Sequence, residues 1–374
     1  MGLPRPARIS SRRCLSESAA PAEARGGSRS LLSIQILRAV AALGVLLHHT
    51  AHEVAAKTGV TVPFGEFVVG AGGVDLFFVI SGFVMVYASE RLFAQPGASR
   101  VFFLRRLARI VPLYWAATAI LVGYVYVAHR IFPPPFITTE GVIASFLFIP
   151  YPLPNGAMAP VHALGWTLNY EMFFYAVFAL AIMLPRRSAI FVISALFALL
   201  VALGLLVPLR QPFAFWFSPI ILEFCFGMFI ALAWRDGRRL PRWASLLLIV
   251  AALAAYAASA LWGPFVAWRA LEWGVPGAML VAALALAKDT PSPSPVSRVF
   301  VFLGDASYSL YLVHAIVIPA VRRVMPSLDT PLMPWLYALA LIGASIAAAC
   351  LSYLWFERPI TRALQRWIGR NQAV

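Results

Sequence analysis

Charged residues are scarce in this chain of 374, at 12% of the total against 61% hydrophobic. A soluble domain carries about 25% charged and about 45–50% apolar residues. The deficit excludes an ordinary soluble protein and asks for a bilayer. Cysteine is also rare: Cys14, Cys225 and Cys350 lie too far apart for a disulfide framework or a zinc site and read as packing residues. No single segment holds histidines and carboxylates at ligand spacing, so no metal is expected. The opening "MGLPRP" has Pro6 where a myristoylation signal needs Ser or Thr. No half-chain repeat with broken helices at matching positions is found, which weighs against a transporter or flippase. Acidic residues are few, 15 against 30 Lys and Arg, giving a formal charge of +15. Such an excess can signal nucleic acid, but its distribution assigns it to topology and anionic lipid, and no nucleic-acid partner is expected.

Ten apolar runs of helix length are present, at about 31–51, 67–89, 110–128, 165–184, 189–207, 213–234, 243–262, 273–287, 299–319 and 334–356. They predict an all-α polytopic membrane bundle with about ten transmembrane helices. Residues 1–30 lack an apolar stretch and read as a disordered basic tail. A transit peptide is the weaker alternative, because Glu17 and Glu23 interrupt the basic run. Residues 31–360 form the membrane domain, and 361–374 a short basic tail. "VIASFLFI", at 142–149, is too short to cross and sits in a Pro-rich loop. With both termini cytoplasmic, the inside segments hold 23 Lys and Arg and the outside segments six, as the positive-inside rule requires.

Several polar residues interrupt these runs. In "LRAVAALGVLLHHTAH", Arg38 and His49 are eleven residues apart. That is three turns plus about 20°, so they share a face, about 16 Å apart along the axis. His52 falls near the same stripe and His48 to its side. Either Arg38 and His49 face the bundle interior, or Arg38 snorkels and the histidines mark the outer interface. "GGVDLFFVISGF" places Asp75 within the second run, with Gly72, Gly73 and Gly82 permitting close helix approach. In "GWTLNYEMFFY", Thr167, Glu171 and Tyr175 repeat at four-residue spacing on one face. In "GDASYSLYLVH", Ser307, Tyr311 and His314 share a face. His49, Asp75, Glu171 and His314 all fall toward the outer side, so convergence on one cavity is expected. On the opposite side, Arg105, Arg106 and Arg109 form a basic face suited to phosphates, unless they serve only topology or lipid binding.

In combination and order, these motifs resemble the acyltransferase-3 family of integral membrane O-acyltransferases, closest to the subgroup that decorates bacterial exopolysaccharides. The resemblance spans about 31–360. It rests on "SIQILRA" with the Arg38–His49 spacing, "GGVDLFFVISGF", "FFLRRLARIVPLYW" with the Arg106–Arg109 pair, "GWTLNYEMFFY" and "GDASYSLYLVH". It implies ten helices in a bacterial inner membrane and a cytoplasmic acyl-CoA donor, of which acetyl-CoA is the simplest. It also implies a sugar hydroxyl acceptor on the far side, His49 as the central catalytic residue with Arg38 as its partner, and the arginine pair at the donor. Polysaccharide assembly proteins are the implied associates. The residues then support a mechanism in which Arg105, Arg106 and Arg109 hold the CoA phosphates and the thioester threads past Arg38. His49 acts as general base or as transient acyl carrier. Asp75 or, preferentially, Glu171 orients its ring. His52, Tyr175, Tyr311 and His314 are acceptor-side candidates. Peptidoglycan, a lipid-linked sugar or a small glycoside are alternative acceptors.

Overall fold

The computed structural model describes residues 22–60, 68–128, 137–153, 156–263, 268–288, 294–326 and 330–370. Among these residues the secondary structure is helical, apart from isolated β-bridges. The helices, in chain order, are α1 (Ala22–Thr58), α2 (Gly73–Ala88), α3 (Ala98–Ala128), α4 (Thr139–Phe146), α5 (Trp166–Ala181), α6 (Arg186–Leu206) and α7 (Phe213–Trp216). There follow α8 (Leu222–Arg235), α9 (Arg242–Trp262), α10 (Val275–Ala285), α11 (Pro295–Asp305), α12 (Ser307–Val324), α13 (Met333–Ser352) and α14 (Arg358–Arg370).

All ten apolar runs are helical. By length and composition, six helices can cross a membrane: the spans Leu32–Thr58, Val69–Ala88, Ala98–Val127, Arg186–Leu206, Arg242–Trp262 and Met333–Arg370. A seventh forms if α11 and α12, bent by 68° at Ala306, count as one. The other three runs form the shorter helices α5, α8 and α10, of 16, 14 and 11 residues. Six or seven spans are thus supported by length and composition, and the expected ten needs the bent pair and all three short helices as well. The "VIASFLFI" stretch contributes to the short helix α4.

Both ends of the chain differ from the sequence expectation. Helix α1 begins at Ala22, inside the segment assigned to the basic tail; residues 1–21 lie outside the described residues. The C-terminal segment from 361 is also helical up to Arg370, because α14 continues α13 through a π-helical turn at Tyr353–Glu357. Residues 371–374 lie outside the described residues.

Helix boundaries follow local chemistry. Pro185 and Pro241 precede α6 and α9, where a missing N–H costs nothing. Ser294 caps α11: its hydroxyl accepts from the Ser297 N–H at 3.1 Å, and Ser297 Oγ accepts from the Ser294 N–H at 2.8 Å.

Helix α2 is the axis of the bundle. Its apolar span is 72% buried, against 28% for α6 and 17% for α9. The outer helices therefore present apolar side chains such as Phe191, Leu199, Leu246 and Val250 outward, as lipid-facing helices do. Two glycines fit α2 against α8: a Cβ on Gly82 would collide with the Phe224 carbonyl, and one on Gly227 with the Val79 carbonyl. Such backbone approach is how helices pack without help from water exclusion. Around this seam Phe78, Phe174 and Phe224 stack with ring centroids 4.3–4.8 Å apart.

Candidate functional site

Three polar assemblies occupy the bundle interior. The first is a cavity of about 90 Å³ between α1, α2, α3, α5 and α12. Its polar lining comes chiefly from Arg38, Arg106, Arg109, Glu171, Tyr175 and Tyr311. The bend at Ala306 starts α12 beside α1, so that Arg38 Nη2 donates to Ser307 Oγ at 2.9 Å. Arg38 makes no ion pair among the described residues. Nε of Arg106 is buried with no hydrogen-bond partner among the described residues, its guanidinium lying 5.5 Å from the Phe102 ring centroid. Thr167, Glu171 and Tyr175 all line this cavity, as their spacing predicts. Glu171 lies near Arg109 and Arg38, and Tyr175 Oη is 3.5 Å from Ser81 Oγ.

The cavity adjoins an open basic mouth of about 720 Å³, lined by Arg105, Arg106, Arg109, Arg362 and Arg366. Sequence reading finds the first three and misses the last two. On α14, Arg358, Arg362 and Arg366 repeat every four residues and share a face. That periodicity is present in the sequence but straddles the boundary expected between the membrane domain, which holds Arg358, and the tail, which holds Arg362 and Arg366. Helix α14, continuing α13, packs along α3 and makes a two-walled mouth. Arg38 and Arg109 also line a side branch of about 190 Å³ with Arg358, Arg362 and Glu357. Glu357 is held by the Ser309 hydroxyl, which donates to it at 2.5 Å.

The second assembly is a histidine pair. His49 Nδ1 and His314 Nε2 are 2.9 Å apart, with rings stacked at 5.1 Å. His48 lies beside them, its ring 5.3 Å from that of His49. Tyr311 links the pair to the cavity: its ring lines the cavity and meets His314 edge-on at 6.3 Å. Its hydroxyl is fixed by Thr167 Oγ1 and by donation to the Leu164 carbonyl, both at 3.1 Å. His49 itself lies beyond the cavity lining. The sequence reading missed His162. This loop histidine, which burial pushes below the usual imidazole range, contacts the Leu312 carbonyl through Nε2 at 3.1 Å. His52 is exposed.

The third assembly is an ion pair. Asp75, fully buried, receives Nε and Nη2 of Arg269 at 2.8 and 2.7 Å. Arg269 also donates to the Ala71 carbonyl at 2.9 Å and lies 4.5 Å from the Trp273 ring centroid.

The four titratable groups expected in one cavity are thus divided among three places. Glu171 lines the cavity, His49 meets His314, and Asp75 is taken by Arg269. The expectation that a carboxylate orients His49 is corrected, since the ring meeting its Nδ1 is that of His314. The reason is competition: a buried carboxylate goes to the nearest guanidinium, the stronger partner.

The interior thus holds a basic mouth opening on a narrow cavity, with an imidazole pair beyond it. The comparisons make the class definite. Residues 31–354 match the family model described as an acyltransferase domain, and the chain belongs to that acyltransferase-3 family. It is 37% identical to an exopolysaccharide production protein, ExoZ, of Rhizobium meliloti (strain 1021), over 79% of this chain and 91% of that one. It is 28% identical to the acyltransferase MdmB of Streptomyces mycarofaciens, over 90% and 93% of the two chains. It is 34% identical to protein 2 in the picA locus of Rhizobium radiobacter, over 28% of this chain and 63% of that one. No solved structure matches it. The protein is an acyltransferase carried on apolar, membrane-crossing helices.

Proposed function

We propose that this protein is an O-acyltransferase of the bacterial inner membrane. It moves an acetyl or other short acyl group from cytoplasmic acyl-CoA to a sugar hydroxyl of an exported or lipid-linked polysaccharide. The observation that carries the reading is the line of cations from the α3–α14 mouth through Arg106 and Arg109 to Arg38, in a cavity that Tyr311 separates from the His49–His314 pair. The positive-inside charge distribution supports a cytoplasmic mouth with His49 toward the far side. The exopolysaccharide production protein among the relatives supports the choice of a polysaccharide acceptor.

The physical problem is that the activated acyl group is made on one side and its acceptor lies on the other. The phosphates of CoA are too polar to cross, but its pantetheine arm is long and thin. Arg105, Arg106, Arg109, Arg362 and Arg366 hold the phosphates in the mouth by charge-assisted hydrogen bonds. Arg38 stands along the narrow cavity that the arm enters. The acceptor oxygen attacks the thioester carbonyl carbon, forming a C–O bond as the C–S bond breaks. His49 takes the hydroxyl proton, which passes to the departing thiolate. Alternatively, His49 accepts the acyl group and then hands it to the hydroxyl. Assembly partners for the polysaccharide fit the same reading.

The test is transfer of labelled acetyl from acetyl-CoA by the purified protein in liposomes, combined with acetyl analysis of polysaccharide from deletion and wild-type cells. Identical acetylation in the two strains would discard the acceptor assignment. A purified protein that transfers acetyl without any dependence on CoA thioesters would discard the donor.

A further inference from the structure

The hydrogen bonds around the histidine pair select one ring nitrogen. His314 Nδ1 lies 2.7 Å from the Leu310 carbonyl oxygen. A carbonyl only accepts, so Nδ1 of His314 carries the proton. With the ring uncharged, His314 Nε2 is then a bare acceptor. It faces His49 Nδ1 at 2.9 Å, and that contact is a hydrogen bond only if His49 Nδ1 carries a proton. In uncharged His49 the lone pair therefore falls on Nε2, which has no hydrogen-bond partner among the described residues.

We infer that His314 is a positioning residue that fixes the tautomer of His49, so that Nε2 is the reacting nitrogen of the enzyme. The chain of constraint starts at a backbone carbonyl of α12, one turn before His314, and α12 is anchored to α1 by the Arg38–Ser307 hydrogen bond. The arrangement does with a neutral imidazole what a carboxylate does in a triad. When Nε2 takes the acceptor proton, the His49 imidazolium keeps Nδ1–H on His314, and that bond becomes charge-assisted. If Nε2 instead bonds to the acyl carbon, the same bond holds the acylated ring in place. Either route needs the same free nitrogen, so the inference holds for both. It avoids placing a carboxylate beside His49, where low dielectric would otherwise demand a compensating cation.

The inference rests on His49 being the reacting group, and the experiment keeps the two apart. The full chain is reconstituted as wild type, His314→Gln and His314→Leu, and each is assayed for acetyl transfer and for thermal unfolding. Leu fills space but accepts no hydrogen bond, so kcat is expected to fall about 10²-fold or more with the acetyl-CoA KM unchanged. Gln can offer its Oε1 where His314 offers Nε2, and is expected to restore most of that loss. Equal loss in both variants at equal stability overturns the positioning role. Nitrogen NMR of histidine-labelled protein, assigned with His49→Ala, reads the tautomer without any assay. An unprotonated Nε2 in His49 is expected, and an unprotonated Nδ1 overturns the inference. A wild type that transfers nothing from acetyl-CoA sinks the proposed function but leaves the tautomer result standing.

Discussion

Two half-buried arginines in this bundle have opposite circumstances. Arg269 is spent: both oxygens of Asp75 face it, and its remaining contacts are a backbone carbonyl and aromatic faces. Arg38 meets a serine hydroxyl and the wall of a cavity. A charge within a membrane domain is tolerated when it is neutralised or when it serves a polar path. The first condition describes Arg269 and the second Arg38. The difference teaches that an arginine inside the bundle is available to a ligand only where the fold has not already supplied its anion. Asp75 ties helix α2 to the Arg269 segment.

Breaking this comparison calls for variants at both ends. The largest effect is expected for His49→Ala, which should lower acetyl transfer by about 10²–10⁴-fold while the protein inserts and melts normally. Transfer at the wild-type rate would remove His49 from the chemistry. Next comes Arg269→Ala, which strands a fully buried carboxylate and should cost about 3–5 kcal/mol of stability. The readout is thermal unfolding in detergent, where Arg38→Ala should shift the transition far less and instead reduce transfer. Reversed outcomes would exchange the two roles. Removing the α14 wall by Arg362→Ala with Arg366→Ala should raise the acetyl-CoA KM about tenfold, some 1.4 kcal/mol of binding, with kcat preserved. A steady-state KM matching wild type would return α14 to a surface role. The smallest change is expected for His52→Ala, an exposed position where stability should stay within about 0.5 kcal/mol and transfer should persist. Inactivity of that variant would extend the reacting centre beyond the histidine pair.

The parts of the site lying along single helices were legible in advance. Thr167, Glu171 and Tyr175 line one cavity because a four-residue repeat defines a helix face whatever the helix packs against. The same repeat in Arg358, Arg362 and Arg366 crosses the expected boundary at 360, where the basic composition of the last residues hides what periodicity offers. Pairings across helices were not legible. Asp75 and Arg269 are 194 residues apart, and Arg38 and Ser307 are 269 apart. Depth along a helix grouped Asp75, Glu171, His49 and His314 on the outer side; the packed bundle instead sets Glu171 in one cavity with Arg38, Arg106 and Arg109, the cations expected on the opposite side.

The sequence alone determined that this chain is helical, that its helices are apolar enough to cross a membrane, and which few polar groups lie in apolar runs. Hydropathy and a 3.6-residue period are properties of each segment by itself. The tertiary structure decided that His314 meets His49, that Arg269 takes Asp75, and that α14 closes a basic mouth. Those outcomes depend on the rotation of each helix toward its neighbours. Close approach at positions such as Gly82 and Gly227, summed over the whole core, sets that rotation.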